Sequence, residues 1–137
     1  MATFNKFQCF VGDLGDKVHD LDADTIKVYL TNATPDAAAD SIKTDLAEIT
    51  AENGYPSGGT DIANIWVETA GTGTLTGTDV VFTASGGTFG PFRYAVIYND
   101  TAASDNLIAW WDYGSSITPS AAETFTVDFG ASILTLT

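Results

Sequence analysis

The sequence predicts a mainly β domain: an antiparallel β-sandwich of about eight strands, jelly-roll-like in outline, with an N-terminal amphipathic helix. Three observations predict it. From Asp61 onward, short runs rich in β-formers recur between turn signals. One more such run, Thr25-Ile26-Lys27-Val28-Tyr29-Leu30-Thr31, lies upstream. Only residues 3–19 carry a helical period, with Phe4, Phe7, Val11, Leu14 and Val18 at steps of three and four. The chain of 137 residues is 45 % hydrophobic, enough for one core, and no linker divides it. Residues 1–137 are therefore expected to be a single domain. It comprises a helix over 1–20 and a β-sandwich over 25–137, with a short helical insert near 35–49.

The elements follow in order. Thr3 is a candidate cap for the first helix. Gly12 and Gly15 each cost about 1 kcal/mol inside it relative to Ala, so its aromatic face must dock to hold it. The dock is either the domain's own sheet or a neighbouring subunit. The turn Asp20 to Asp24 precedes the strand at 25–31. Pro35, Asp36 and four alanines at 37–39 and 47 predict one or two helical turns ending near Ile49. Residues 52–59 are a loop by their Gly and Pro content. Strands are then predicted at 62–69, 73–76, 79–84, 93–99, 106–113, 124–129 and 132–136. On the strand at 93–99, Tyr94, Val96 and Tyr98 share one face, and Arg93, Ala95, Ile97 and Asn99 the other. On the next, Ile108, Trp110 and Asp112 oppose Leu107, Ala109, Trp111 and Tyr113. Strands apolar on both faces sit centrally, or have one face covered. The aromatic N-terminal helix is one candidate cover.

Charge narrows the choice of partner. Eighteen acidic residues against five basic give a net −13. Four of the basic residues fall before residue 44, and Arg93 is the only one after it. No basic cluster exists to bind phosphates, so neither nucleic acid nor an anionic membrane is an expected partner. No apolar run approaches the roughly 18 residues of a spanning helix, and the opening MATFNKFQCF does not read as a signal peptide. The single cysteine, Cys9, has no partner for an internal disulfide. Synthesis in a cytoplasm is expected.

Groups that carry chemistry are scarce. His19 is the only histidine, so any triad would have to use it. A zinc site of Cys and His lacks ligands, and no cofactor or metal is expected. Asp20, Asp22 and Asp24 resemble the start of a calcium loop, but Thr25 and Thr31 stand where its Gly and Glu belong. The alternatives there are a solvated turn and an irregular Ca²⁺ site. Asp112 with Glu123 or Asp128 is the one carboxylate set to weigh for glycoside hydrolysis. The aromatics are the positive signal. Trp66, Trp110, Trp111, Tyr94, Tyr98 and Tyr113 fall on predicted strands, and Phe89 and Phe92 in a loop. They serve either a core, a protein interface or a sugar-stacking surface.

Three stretches carry a resemblance. They are Phe4 to Leu21 with Asp24 to Asn32, Ala84 to Thr101, and Asp112 to Thr118 with Glu123 to Phe129. Through them the chain resembles a family of small virion proteins of tailed bacteriophages. None of the stretches is a catalytic motif. The resemblance implies a particle component, a capsid decoration or cement protein that binds the major capsid protein and copies of itself on the outer capsid surface. A strongly acidic chain fits that role by staying soluble at high copy.

The expectation is thus a non-enzymatic virion structural protein that stabilises the capsid as a homo-oligomer. A tail or head-fibre component, a carbohydrate-binding β-sandwich module and an enzyme are its competitors. The candidate partner-binding residues are Phe4, Phe7 and Phe10 at the N-terminus, with Phe89, Phe92 and Arg93 in and after the Gly-rich loop. All but Arg93 are equally readable as core or turn residues.

Overall fold

The computed structural model describes residues 2–137, with ten strands and one α-helix among them. In chain order they are β1 (Thr3–Lys6), α1 (Cys9–Gly15), β2 (Ile26–Thr31), β3 (Thr60–Asp61), β4 (Ile65–Thr69), β5 (Thr72–Thr76), β6 (Val80–Thr83), β7 (Phe92–Asn99), β8 (Leu107–Ile117), β9 (Thr124–Val127) and β10 (Leu134–Leu136). A 3-10 turn covers Lys43–Asp45. The strands form a five-stranded sheet ordered β1-β8-β7-β2-β3, a three-stranded sheet ordered β10-β5-β4, and the pair β6-β9. Every pairing is antiparallel. Each of the eight expected strands overlaps an observed one, and β1 and β3 are additional.

β7 and β8 organise the large sheet because they are apolar on both faces. One face sends Ala95, Ile97, Ala109 and Trp111 into a core shared with Ile26, Val28 and Leu30 of β2. Leu75, Val80, Phe82, Val127 and Ile133, from the smaller sheets and the approach to β10, fill the same core. The other face buries Tyr94, Val96, Tyr98, Leu107 and Trp110 with Phe7, Tyr29 and Leu46. Two register shifts, between Phe92 and Tyr94 and between Ile97 and Tyr98, interrupt the alternation read from the sequence. Phe92 thereby joins Ala95 in the main core, and Ile108 joins Ala109. Arg93 does not share the face of Ala95. Its guanidinium lies 5.4 Å from the Tyr94 ring centroid and pairs with Asp112, which stands opposite Tyr94.

The N-terminus corrects the expected helix over residues 3–19. Thr3–Lys6 is instead an edge strand on β8, and the helix is confined to Cys9–Gly15. The reason is the pair Trp110-Trp111, whose rings point to opposite faces of β8. Phe4 packs edge-on to Trp111 at 5.4 Å, and Phe7 packs on Trp110 at 4.5 Å. A helix would hold Phe4 and Phe7 on one stripe, where they cannot reach both rings. The short helix docks on its own subunit through Phe10, which is buried in the main core.

Residues 33–58 wrap the large sheet, with Ala33, Ala37 and Leu46 covering its second face in place of the helix expected there and Tyr55 entering the main core. Glu48 clamps them. Its carboxylate accepts Lys43 Nζ at 2.9 Å, the Tyr55 hydroxyl at 2.8 Å and the Gly58 N–H at 2.7 Å. Tyr55 in turn accepts the Leu30 N–H at 3.0 Å, and the Tyr98 hydroxyl donates to the Gly58 carbonyl at 2.7 Å. Burial holds Tyr29, Tyr55 and Tyr98 well above the usual phenol range, so all three remain protonated donors. Gly59, at φ +73°, closes the loop, because a Cβ there would run into the Val28 carbonyl.

Glu48→Ala should lower the unfolding free energy by about 3 kcal/mol, since it leaves Lys43 and two hydrogen-bonding groups unmet in a largely buried setting. Urea denaturation measures this, and Glu48→Gln should recover part of the loss by keeping an acceptor for Tyr55 and Gly58.

Candidate functional site

The six aromatic and basic residues singled out in the sequence do not form one surface. Phe7, Phe10, Phe89 and Phe92 are core residues. Phe89 stacks on Phe92 at 6.0 Å, and Phe92 meets Phe125 at 4.7 Å, so these rings tie the Gly-rich loop to β7 and β9. Each of these rings finds its neighbours within its own chain, the core alternative of the sequence reading. Arg93 reaches the surface but is satisfied internally. Nε donates to Asp112 Oδ1 at 2.8 Å and Nη2 to Oδ2 at 3.0 Å. Those hydrogen bonds hold the Asp112 carboxyl below the usual carboxylate range. Of the five phenylalanines only Phe4 is exposed, at 39 %.

Phe4 instead marks a site the sequence did not signal. An open apolar cleft of about 380 Å³ lies between the edge of the five-stranded sheet and the three-stranded sheet. β1 contributes Phe4 and Lys6, α1 contributes Phe10, Val11 and Leu14, β4 contributes Trp66, and β10 contributes Leu134 and Leu136. Val11 and Leu136 are 59 % and 53 % exposed, which is unusual for large aliphatic side chains so close together. Gly73 makes room for the Trp66 indole, which would collide with any Cβ at that position. At the other end of β1, a second opening of about 420 Å³ is lined by Ala2, Trp111, Tyr113, Asp128 and Phe129. Burial, with Asp128 adding to it, pushes the Tyr113 hydroxyl up to about 12.

His19 lines an adjoining opening with Leu14, Asp20, Trp66 and Leu136. The sequence places it in a polar stretch, yet the folded ring is only 6 % exposed. Asn99 fixes its state. The Asn99 amide oxygen accepts the N–H groups of Thr101 and Ala102, so its nitrogen faces His19 Nδ1 at 3.1 Å and donates. Nδ1 is therefore the acceptor, and the proton sits on Nε2. That atom is buried and has no hydrogen-bond partner. Burial lowers the pKa of the ring below its ordinary value, against a smaller opposing pull from Asp13 and Asp24.

The acidic turns are occupied by their own backbone. Asp20 Oδ1 accepts the N–H of Asp22 and Ala23, Asp24 Oδ2 accepts that of Asp20, and Asp22 Oδ1 accepts that of Trp66. Asp36 and Asp40 repeat this clasp at the same spacing. The pattern Asp-x-x-x-Asp occurs three times in the sequence, at 16/20, 20/24 and 36/40, and only the last two form the clasp. Glu123 and Asp128 likewise accept nearby backbone N–H groups. Among the described residues, no group of three or more His, Cys, Asp or Glu is placed to hold a metal ion. Of the three tryptophans, Trp110 and Trp111 are buried against Phe7 and Phe129, so only Trp66 presents part of its ring to the surface.

Phe89→Ala should cost about 3–5 kcal/mol in unfolding free energy, while Phe4→Ala should cost about 1 kcal/mol, which chemical denaturation separates. A second prediction concerns pH. The folded His19 pKa lies below the unfolded value, so the unfolded chain takes up the proton first on acidification. The stabilising contribution is complete above about pH 6.5 and falls as pH drops toward the folded pKa. His19→Gln should remove this part of the pH slope, and the comparison with the parent protein cancels the common carboxylate background.

No family model matches the chain, and neither the curated proteins nor the solved structures contain a match to it.

Proposed function

We propose that the three sheets stack as the two layers of an open sandwich, and that the protein is a non-enzymatic structural component of a phage virion. In this reading it is a capsid decoration or cement protein that binds the major capsid protein on the outer surface and stabilises the head. The jelly-roll-like outline rests on the sequence reading alone. One observation carries the functional reading: a contiguous apolar opening, edged by Phe4, Val11 and Leu136, on a chain of net charge −13. Exposed apolar surface of this kind is costly in a free monomer and marks a place where another protein sits. The surrounding charge keeps the free protein dispersed until that partner is met. The resemblance of three stretches to small virion proteins supports the same class of role.

A carbohydrate-binding module is the second reading. The partly buried Trp66 indole at the cleft favours it, since a sugar ring stacks on such a face.

The copy number of the chain in purified particles of the encoding virus tests the proposal, by calibrated mass spectrometry. Hundreds of copies in fixed ratio to the major capsid protein are expected. A few to some tens would move the chain to a tail or head fibre, and absence from the particle would overturn the virion role. Quenching of Trp66 fluorescence by host polysaccharide would favour the sugar-binding module.

A further inference from the structure

The small sheets carry a second surface, on the side away from the core. Trp66, Leu75, Val80, Phe82 and Val127 face inward. The residues that alternate with them on the same strands face outward. On β4 these are Ile65, Val67 and Thr69, and opposite them on β5 stand Thr76, Thr74 and Thr72. The pair β6-β9 repeats the pattern, with Val81 beside Thr126 and Thr83 beside Thr124. Ile65, Val67 and Val81 are each more than half exposed. Every outward position on these four strands is thus Thr, Val or Ile, in a chain with 18 carboxylates. The carboxylates on or beside the strands are turned into their own loops. Glu68 accepts the N–H of Gly71, Asp79 that of Phe129, Glu123 that of Ser120 and Asp128 that of Gly130.

That layout selects the occupant. A cationic partner finds no carboxylate on this face to pair with, and gains more on the acidic parts of the surface. A second copy of the chain carries the same net −13, so it meets least repulsion across a face without charges. The hydroxyls point to the same occupant. Each threonine is both donor and acceptor, so one row of threonines satisfies another, whereas a purely aliphatic surface would leave the hydroxyls unmet. β-Branched side chains also have little χ1 freedom to lose when they are covered.

We infer that the outward faces of the small sheets are a self-association surface, on which two copies of the chain stack face to face about a two-fold axis with their sheets about 10 Å apart. This rests on the layered arrangement and the assembly role just proposed. The four strands present about 300 Å² per copy, at roughly 4.8 Å between strands and 3.3 Å per residue. A stable complex buries about 800 Å² per partner. The contact is therefore weak between free copies and gains effect where a lattice holds copies side by side at high local concentration.

The test uses the full chain. Sedimentation equilibrium up to about 1 mM protein reads self-association at about 0.05 M and about 0.5 M salt. A dimer with a Kd on the order of 1 mM is expected, tighter at the higher salt, because screening removes repulsion and leaves the uncharged contact. Val67→Asp and Val81→Asp each set carboxylates across the contact and should weaken it about tenfold or more. Both side chains are exposed, so loss of folding does not confound the result. An equimolar mixture of Val67→Asp and Val67→Lys chains should restore association. Leu136→Asp, in the cleft, should leave it unchanged. A monomer throughout at high salt, association that weakens as salt rises, undiminished association of both Asp variants, no rescue by the mixture, or loss of association in Leu136→Asp would each overturn the inference. High copy number in particles with a strictly monomeric free chain would sink this contact and leave the assembly role standing. Self-association through this face by a chain missing from particles would do the reverse.

Discussion

The rest of the structure depends on β7 and β8 being apolar on both faces. A pair of central strands that expose Val96, Trp110 and Tyr98 on one side and Ile97, Ala109 and Trp111 on the other cannot leave either side to water. The smaller sheets cover the first side. Most of the second is covered by irregular chain, and irregular chain is hard to bury because its backbone groups need partners. The Glu48 cluster answers that need. One carboxylate takes an ammonium, a phenol and a backbone N–H, and the phenol passes the connection on to β2. The cover is thus stapled to the sheet by polar bonds from above, while Tyr29, Leu46 and Tyr98 supply the apolar contact beneath.

The N-terminal segment shows how a central constraint dictates an edge. Trp110 and Trp111 are neighbours in sequence and so face opposite ways. Covering both rings requires a segment that straddles β8. An extended β1 followed by a turn places Phe4 and Phe7 on the two sides, and only then does the chain coil into α1. The cost is an unpaired strand edge with Phe4 half exposed beside an open cleft. An edge of this kind invites association unless it is blunted, and here the blunting is electrostatic, through the charge of the whole chain.

His19 illustrates a conflict between local and global requirements. Asn99, at the end of β7, spends its oxygen on the Thr101 and Ala102 turn, so its nitrogen must find acceptors. It finds Asp24 and the histidine. That choice forces the proton onto Nε2, which the fold then buries without a partner. The geometry of a turn some 80 residues away in sequence sets the tautomer of the only histidine. No pattern in the residues around His19 announces this.

Local pattern by itself determined the β class of the chain, the position of most strands, and the two-sided character of β7 and β8. These properties follow from alternation and turn chemistry, which act over a few residues. The acidic surface and the scarcity of catalytic groups were equally legible, because they are matters of composition. Tertiary structure alone decided the rest. Phe4, Phe7, Val11 and Leu14 have helical spacing, but pairing with β8 outweighs a helical preference already weakened by two glycines. Phe89 and Phe92 read as loop aromatics, yet packing beneath Tyr55, Phe82 and Phe125 makes them core. Arg93 read as a free cation, and a register shift turned it onto Asp112. The cleft was invisible for the same reason. It is formed by the N-terminal β1 and α1 with β4 and β10, which lie far from them in sequence, and no local signal records which strand edges a fold leaves open.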